Sequence, residues 1–117
     1  MATQPAYRQR SRSGLATIYL QYGVAGSCGN VNPDSAFIAA LGNDWMHQQY
    51  KAPYCGRQIR MTNVGSNDVN VHGKGNSITV TVADTCAACD INHVDLSLGA
   101  WNALTNNSPY STANIQW

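Results

Sequence analysis

Apolar and polar residues alternate over short stretches of this chain, as they do in β-strands that bury one face. The clearest stretch is 77–84, where Ile78, Val80 and Val82 share one face. Asp84 falls on the same face at the end of the stretch, so we expect its carboxylate at the rim of the core. Turns rich in Gly and Asn separate the stretches. Further strands are predicted at 15–20, 36–41, 57–64 and 114–117.

Helical spacing of apolar residues is confined to two segments. Residues 43–53 predict a short helical turn followed by a loop. Residues 97–105 predict a short helix with Ser97 as its N-cap, a position that favours serine, and with Trp101 in the core. Many short strands with one or two short helices predict a mainly β domain built as a closed barrel.

The chain of 117 residues has room for one domain, which we place at 14–117, after a polar and flexible arm at 1–13. Charged residues make up 11% of the chain, with seven Lys and Arg, six Asp and no Glu, and the net charge is +1. Such a surface suits neutral partners such as glycans, since nucleic-acid binding depends on many Lys and Arg contacts. We expect a monomer without a cofactor, and no binding to nucleic acid.

No apolar stretch approaches the roughly 20 residues of a membrane helix, so no membrane partner is expected. The sequence opens Met1-Ala2-Thr3-Gln4-Pro5, without the apolar segment of a signal peptide, and we interpret it as a mature form with an added initiator Met. The even number of cysteines, four in a short chain, favours two disulfides and secretion from the cell. Four cysteines allow three pairings, and the spacing alone does not choose among them.

Cys86 and Cys89 form a Cys-X-X-Cys pair, for which three interpretations compete. A structural disulfide that closes a tight turn is the favoured one. A redox pair needs a helix start behind the first cysteine to lower its pKa, and the residues that follow Cys86 predict no helix. A zinc site could include His93, but it would have at most three ligands, so we expect no metal.

Five short segments, each weak alone, carry a family pattern when they are taken in order. They are Ala16-Thr17-Ile18-Tyr19; Gly26-Ser27-Cys28-Gly29; Phe37-Ile38-Ala39-Ala40-Leu41 followed by Tyr54-Cys55-Gly56; Val80-Thr81-Val82-Ala83-Asp84-Thr85-Cys86-Ala87-Ala88-Cys89; and His93-Val94-Asp95-Leu96-Ser97 running into Ala100-Trp101. Together they resemble the double-psi β-barrel domain of expansins and of loosenins, the single-domain fungal expansin-like proteins. Bacterial lipoprotein-A-like barrels and barwin are similar. The resemblance spans roughly residues 14–117 and implies a six-stranded double-psi β-barrel with the disulfides Cys28–Cys55 and Cys86–Cys89.

The resemblance also implies which residues form the functional site. Asp95 takes the place of the key carboxylate of the family. The surrounding segment typically reads His-Phe-Asp-Leu-Ser in expansins, and here Val94 stands where they have Phe. Asp84 and Tyr19 are implied to line the same groove as Asp95.

Efficient hydrolysis is not expected from these residues. Inverting glycosidases need two carboxyl groups roughly 6.5 to 9.5 Å apart, one as acid and one as base. Expansins are similar to an endoglucanase family with its acid at the Asp95 position and its base two residues beyond the Tyr19 position. That second position is Gln21, an amide that is no base at neutral pH. Asp84 is implied to lie beside the acid rather than across from it, and a lytic transglycosylase, which needs a single acid/base, stays open.

Five further side chains are candidates for contacts with a sugar: Trp45, Tyr50, Tyr54, His93 and Gln21. Trp45 is the best candidate for an exposed stacking platform, although it could equally cover the core. Other site residues also have structural alternatives. Asp95 could bind backbone N–H groups ahead of the helix, and Asp84 could fix a turn. Tyr19 could lie in the core, and His93 could be a structural hydrogen-bond donor.

The leading hypothesis is a non-hydrolytic protein that binds a neutral cell-wall polysaccharide (cellulose, chitin or a related glycan) and loosens it by disrupting glycan–glycan contacts. The first alternative is an inhibitor of papain-type cysteine proteases, because a papain inhibitor from streptomycetes shares this barrel. An inhibitor would bind through exposed loops, such as 43–54 or 65–76. The second alternative is a weak endoglucanase or a lytic transglycosylase.

Overall fold

A computed structural model describes residues 12–117. Its strands are β1 (Ser13–Ile18), β2 (Ile38–Leu41), β3 (Gln58–Gly65), β4 (Ser77–Thr85), β5 (His93–Leu96) and β6 (Ala113–Gln116). Its helices are α1 (Asn43–Met46) and α2 (Leu98–Thr105). The mainly β architecture predicted from the sequence, with two short helices, is confirmed.

The six strands close into one barrel in the order β1-β5-β2-β4-β3-β6. β1 runs parallel to β5, and β2 runs parallel to β4, whereas all other neighbours are antiparallel. Because parallel neighbours need a crossover connection rather than a hairpin, the chain must cross the barrel between the strands of each parallel pair. Strands that are distant in the sequence therefore lie side by side.

The alternation of the strands fills the barrel with apolar side chains. Val94 and Leu96 of β5 are fully buried, and each such side chain stabilises the fold by roughly 1.5 to 3 kcal/mol. Trp101 of α2 is also fully buried, as predicted, and its indole N–H donates to the carbonyl of Ser108 at 3.0 Å. This packing fixes β5 firmly, and the residue between Val94 and Leu96, Asp95, is turned to the outside of the barrel.

Ser97 is the N-cap of α2, as the sequence predicts. Its hydroxyl oxygen accepts from the backbone N–H of Ala100 at 3.3 Å. The same hydroxyl donates to the carbonyl of Ala36 at 2.5 Å and accepts from the N–H of Ile38 at 3.3 Å. One side chain thus caps the helix and joins the end of β5 to the start of β2.

Asp84 is not on the face predicted for it, because β4 contains a β-bulge. β2 pairs Ala39 with Val82 and its next residue, Ala40, with Asp84, so Ala83 has no partner in β2. The extra residue reverses the alternation beyond it. Val82 faces the core, and Asp84 faces the outside of the barrel, half-buried. The bulge depends on the neighbouring strand, and the alternation within β4 alone could not reveal it.

The strand pairing includes described residues ahead of the predicted domain start at Gly14. The N–H of Arg12 donates to the carbonyl of Trp117 at 2.7 Å, and the N–H of Trp117 donates back to the carbonyl of Arg12 at 2.9 Å. Ser13 is the first residue of β1. The predicted arm at 1–13 therefore overlaps the barrel at Arg12 and Ser13, and the rest of it lies outside the described residues.

Both disulfides implied by the family resemblance are present. Cys28–Cys55 ties the loop between β1 and β2 to the residues just before β3. Cys86–Cys89 closes the turn that follows β4. Within residues 12–117, no helix is long and apolar enough to cross a membrane.

Candidate functional site

Four residues form a row across the outside of the barrel. Ala40 of β2 is the register partner of both Asp84 on β4 and Asp95 on β5, and Asp95 is also the partner of Thr17 on β1. Register partners share a face of the sheet, so these side chains point the same way. Three strand spacings make the row about 14 Å long. Because Ala40 carries only a methyl group, the floor between the two carboxylates is low.

Asp95 is held by a chain of two hydrogen bonds. The hydroxyl of Thr17 donates to Asp95 Oδ1 at 2.7 Å. The Thr17 hydroxyl oxygen also lies 2.7 Å from Nε2 of His93. A threonine hydroxyl has a single hydrogen to donate. When that hydrogen points to Asp95, His93 must donate from Nε2. His93 therefore acts as a hydrogen-bond donor, and it orients Asp95 through Thr17.

The disulfide Cys86–Cys89 forms a wall beside Asp95. Both sulfur atoms and one carboxylate oxygen of Asp95 lie within 4.8 Å of one another. These three residues have the composition of a metal-binding cluster, but sulfurs joined in a disulfide offer no thiolate to a metal. The disulfide thus provides an apolar surface next to the carboxylate of Asp95.

Asp84 has a structural role as well as a place in the row. Its Oδ1 accepts from the backbone N–H groups of Ser27 and Thr85, both at 2.8 Å. The hydroxyls of Ser27 and Thr85 also bond to each other at 2.7 Å. One oxygen of Asp84 therefore fixes the local backbone, as the structural alternative for this residue predicts. The bonds use only Oδ1, and Oδ2 remains for other contacts.

Tyr19 places a phenol among three carboxylates. Its hydroxyl is buried and has no hydrogen-bond partner among the described residues. Burial, followed by the nearby charges of Asp84, Asp95 and Asp34, raises the pKa of Tyr19 well above its usual 10.0. The hydroxyl therefore stays protonated and is a hydrogen-bond donor at physiological pH. The closeness of Asp34 was not anticipated from the sequence, where it stands in an ordinary Asn-Pro-Asp turn.

Gln21 does not face the groove as expected. It is 8% exposed, and its side-chain amide donates to the carbonyl of Pro33 at 3.2 Å. Its backbone N–H donates to Asp34 Oδ1 at 3.1 Å. The residue at the position of the missing base therefore supports the loop between β1 and β2. A sugar contact through its side chain would require these bonds to break.

Trp45 is not an exposed platform, and the alternative in which it covers the core describes it better. Its indole N–H donates to the carbonyl of Ile91 at 2.9 Å. Its ring meets Tyr54 and Trp117 edge-on, with centroids 5.4 and 5.6 Å away, and all three pack against the core. The guanidinium of Arg12 lies 4.8 Å from the centroid of Trp45 and occupies a face of the ring. A sugar ring would have to displace Arg12 to stack there.

The other two aromatic candidates differ in exposure. Tyr54 is half-buried, and the guanidinium of Arg57 lies 4.5 Å from its ring centroid. Tyr50 is 70% exposed, and it is the one residue of the predicted aromatic trio that offers its ring to solvent. Of the three aromatic candidates, Tyr50 is therefore the exposed one.

A cleft of about 470 Å³ is not centred on the carboxylates. It lies along β2 and β4 beside the row, and Phe37, Ile38, Thr81 and the Cys28–Cys55 disulfide are among its lining. None of Asp84, Asp95 or Tyr19 lines it. We place the functional centre at the row, because the convergent polar groups are there rather than in this cleft.

By sequence comparison, the chain matches no protein-family model and no curated protein. By structure it is similar to an expansin from Clavibacter michiganensis, with a TM-score of 0.68 and 25% identity over 92% of this chain and 48% of that one. The barrel is of the expansin-like double-psi type. The family resemblance inferred from the five segments is thereby confirmed. The expansin-like barrel accounts for about half the length of that expansin, an Asp→Asn variant of which has been solved in complex with cellohexaose.

Two other solved structures share the expansin-like barrel. One is a papain inhibitor from Streptomyces, with a TM-score of 0.66 and 24% identity over 92% of both chains. The other is a β-1,4-endoglucanase from the blue mussel Mytilus edulis, with a TM-score of 0.60 and 16% identity over 88% of this chain and 77% of that one. At these identities the likeness concerns the fold, and function has to be argued from the site.

Proposed function

We propose that this protein binds a neutral cell-wall polysaccharide along the row of Thr17, Asp95, Ala40 and Asp84, and loosens it without hydrolysing it. The observation that carries the proposal is the pair of carboxylates, Asp95 and Asp84, on the same outer face with only the methyl group of Ala40 between them. The cellohexaose complex of the similar expansin supports the choice of a glycan as ligand.

The chemistry of the row suits the hydroxyl groups of a sugar. The carboxylates of Asp95 and Asp84 accept hydrogen bonds from hydroxyls. Hydrogen bonds to charged groups contribute roughly 1.5 to 3 kcal/mol each, more than those between neutral groups. A glycan chain held this way exchanges hydrogen bonds to neighbouring glycan chains for hydrogen bonds to protein. Loosening follows from this exchange and needs no bond cleavage.

We expect no hydrolysis because the position implied for the base, Gln21, holds an amide rather than a carboxylate. Asp84 lies on the same face as Asp95, two strand spacings away, or about 10 Å between backbones. One of its oxygens is bound by backbone N–H groups. The position expected for a base holds Gln21, whose amide is bonded to Pro33. We therefore expect no activated water opposite Asp95 and no release of reducing sugar.

The two disulfides are typical of proteins secreted into oxidising surroundings, and cell-wall glycans also lie outside the cell.

The proposal is tested by pull-down on insoluble cellulose, chitin and peptidoglycan with the wild type and Asp95→Asn. Asp95→Asn removes one charge and one acceptor, and we expect it to weaken retention on the bound glycan about tenfold, or 1.4 kcal/mol. Asp68→Asn is the matched control, because Asp68 is also a hydrogen-bonded carboxylate but belongs to the loop between β3 and β4. Equal retention of Asp95→Asn and wild type on every glycan would refute the proposal.

Inhibition of a papain-type protease is a second candidate, because the Streptomyces inhibitor and this chain match over 92% of both lengths. An inhibitor would use exposed loops such as 43–54 or 65–76 rather than the carboxylate row. Papain activity is measured with increasing amounts of wild type and of Asp95→Asn. Inhibition that is equally strong with both variants, together with no retention on any glycan, would favour this second function over the first.

A further inference from the structure

A cleft of about 270 Å³ lies near the ends of β2 and β4, beside Thr85, the residue that follows Asp84. Its lining consists of polar side chains and one exposed aromatic ring: Ser27, Asn43, Gln48, Gln49, Tyr50 and Thr85. Ser27 and Thr85 are the two residues whose backbone N–H groups hold Asp84 Oδ1. The cleft therefore borders the residues that hold Asp84 in place.

Tyr50 is held in place at the edge of this cleft without being buried. It is 70% exposed, and the ammonium group of Lys51 lies 5.4 Å from its ring centroid. The N–H of Lys51 donates to the carbonyl of Ser27 at 2.7 Å, which anchors the segment to the wall of the cleft. A Cβ placed on Gly29 would come within 3.1 Å of the Tyr50 hydroxyl, so the ring lies close against this backbone. The result is an aromatic surface that is fixed yet open to solvent.

The backbone around Tyr50 is strained in a way that supports a binding role. His47, Gln48 and Lys51 have φ values of 56°, 56° and 53°, in the left-handed region that non-glycine residues rarely adopt. Such conformations cost of order 1 to 3 kcal/mol each and concentrate at ligand sites. Asn43 stabilises the loop by accepting from the N–H of Gln48 at 3.0 Å. His47 is the C-cap of α1, where this conformation is common, so the unusual backbone is that of Gln48 and Lys51, on either side of Tyr50.

The lining identifies the class of ligand. None of the six lining side chains is charged at neutral pH, and five carry amides or aliphatic hydroxyls, which donate and accept hydrogen bonds. An exposed aromatic ring offers a flat apolar face. A neutral ring compound with many hydroxyls fits both features. We propose that this cleft is a subsite for one hexopyranose residue of the glycan, next to the residue at Asp84, with Tyr50 as its stacking surface. This inference rests on the proposed function of the row.

The test measures the affinity for soluble cellohexaose and chitohexaose by isothermal calorimetry with the whole protein. Tyr50→Ala is expected to weaken binding of the hexaose that the wild type prefers about tenfold, and Tyr50→Phe to keep it within twofold, because the ring rather than the hydroxyl makes the contact. Tyr110→Ala is the matched control, since Tyr110 is 60% exposed in the segment between α2 and β6. Its affinity should equal that of the wild type.

The outcomes separate this inference from the proposed function. If Asp95→Asn weakens binding but Tyr50→Ala binds as well as Tyr110→Ala, the subsite is refuted and the proposed function stands. Loss of binding in Tyr50→Phe as great as in Tyr50→Ala would also refute it, because the ring would not be the contact. If the wild type binds neither hexaose and no insoluble glycan, the proposed function fails, and the subsite fails with it.

Discussion

Thr17 lies between His93 and Asp95 of β5, and its hydroxyl links them by donating to Asp95 and accepting from His93. Distances of 2.7 Å to both Asp95 and His93 indicate two well-formed hydrogen bonds. The orientation of Asp95 therefore depends on a residue that need not touch the ligand. The segment containing Thr17 was part of the family resemblance, but its role was not predicted. It became visible only when register placed Thr17 beside Asp95.

Replacement of Thr17 by Val should separate the orientation of Asp95 from folding. Valine keeps the shape and suits a strand, so we expect a loss of about 1 kcal/mol in the free energy of unfolding. Glycan binding should weaken about fivefold, or about 1 kcal/mol, because Asp95 loses its partner. Thr62→Val is the control, since Thr62 bonds Ser77 across β3 and β4 at 2.7 Å, far from the row. Binding in Thr17→Val as strong as in Thr62→Val would contradict this role.

At the scale of elements, local signals were predicted well and signals between strands were not. The Ser97 cap and most of β4 are encoded by neighbouring residues, and both are where the sequence places them. The four-residue strand β5 received no prediction, because two buried residues ahead of a helix are too few to establish a period. The bulge at Ala83, which turns Asp84 outward, depends on pairing with β2.

The two disulfides should have different effects when they are removed. In the loop-closure account, removing Cys28–Cys55, with its sequence separation of 27, costs about 3 to 4 kcal/mol of unfolding free energy. Removing Cys86–Cys89, with a separation of 3, costs less, about 2 kcal/mol. Glycan affinity should respond in the opposite order, because only Cys86–Cys89 lies within 4.8 Å of the Asp95 carboxylate.

Double serine variants of each pair, studied by urea unfolding and by hexaose binding at a temperature where both are folded, check this expectation. Each variant serves as the control for the other. If the Cys28/Cys55 variant lost more affinity than the Cys86/Cys89 variant, the disulfide beside Asp95 would not be part of the site.

At the scale of the whole molecule, closure of the barrel creates the site. Thr17 and Asp95 are 78 residues apart in the sequence and adjacent in space. The disulfide pairs, Asp84, Asp95 and Tyr19 were anticipated only through the family resemblance, because composition and alternation contain no such long-range information. The contacts of Asp34 and Gln21 could not be predicted for the same reason, since they form within a loop that folds back on itself. A similar barrel also occurs in a papain inhibitor and an endoglucanase, so the fold alone does not choose among the functions. Knowing where on the barrel a ligand binds would distinguish them.

The most direct test is an amide chemical-shift map of the ¹⁵N-labelled protein, titrated with cellohexaose and, separately, with chitohexaose. We predict that one of them perturbs the amides of Thr17, Tyr19, Asp84 and Asp95 most strongly, and that the spectrum of the sugar develops no new reducing ends during the experiment. Shifts confined to 65–76, or cleavage of the bound sugar, would contradict the account.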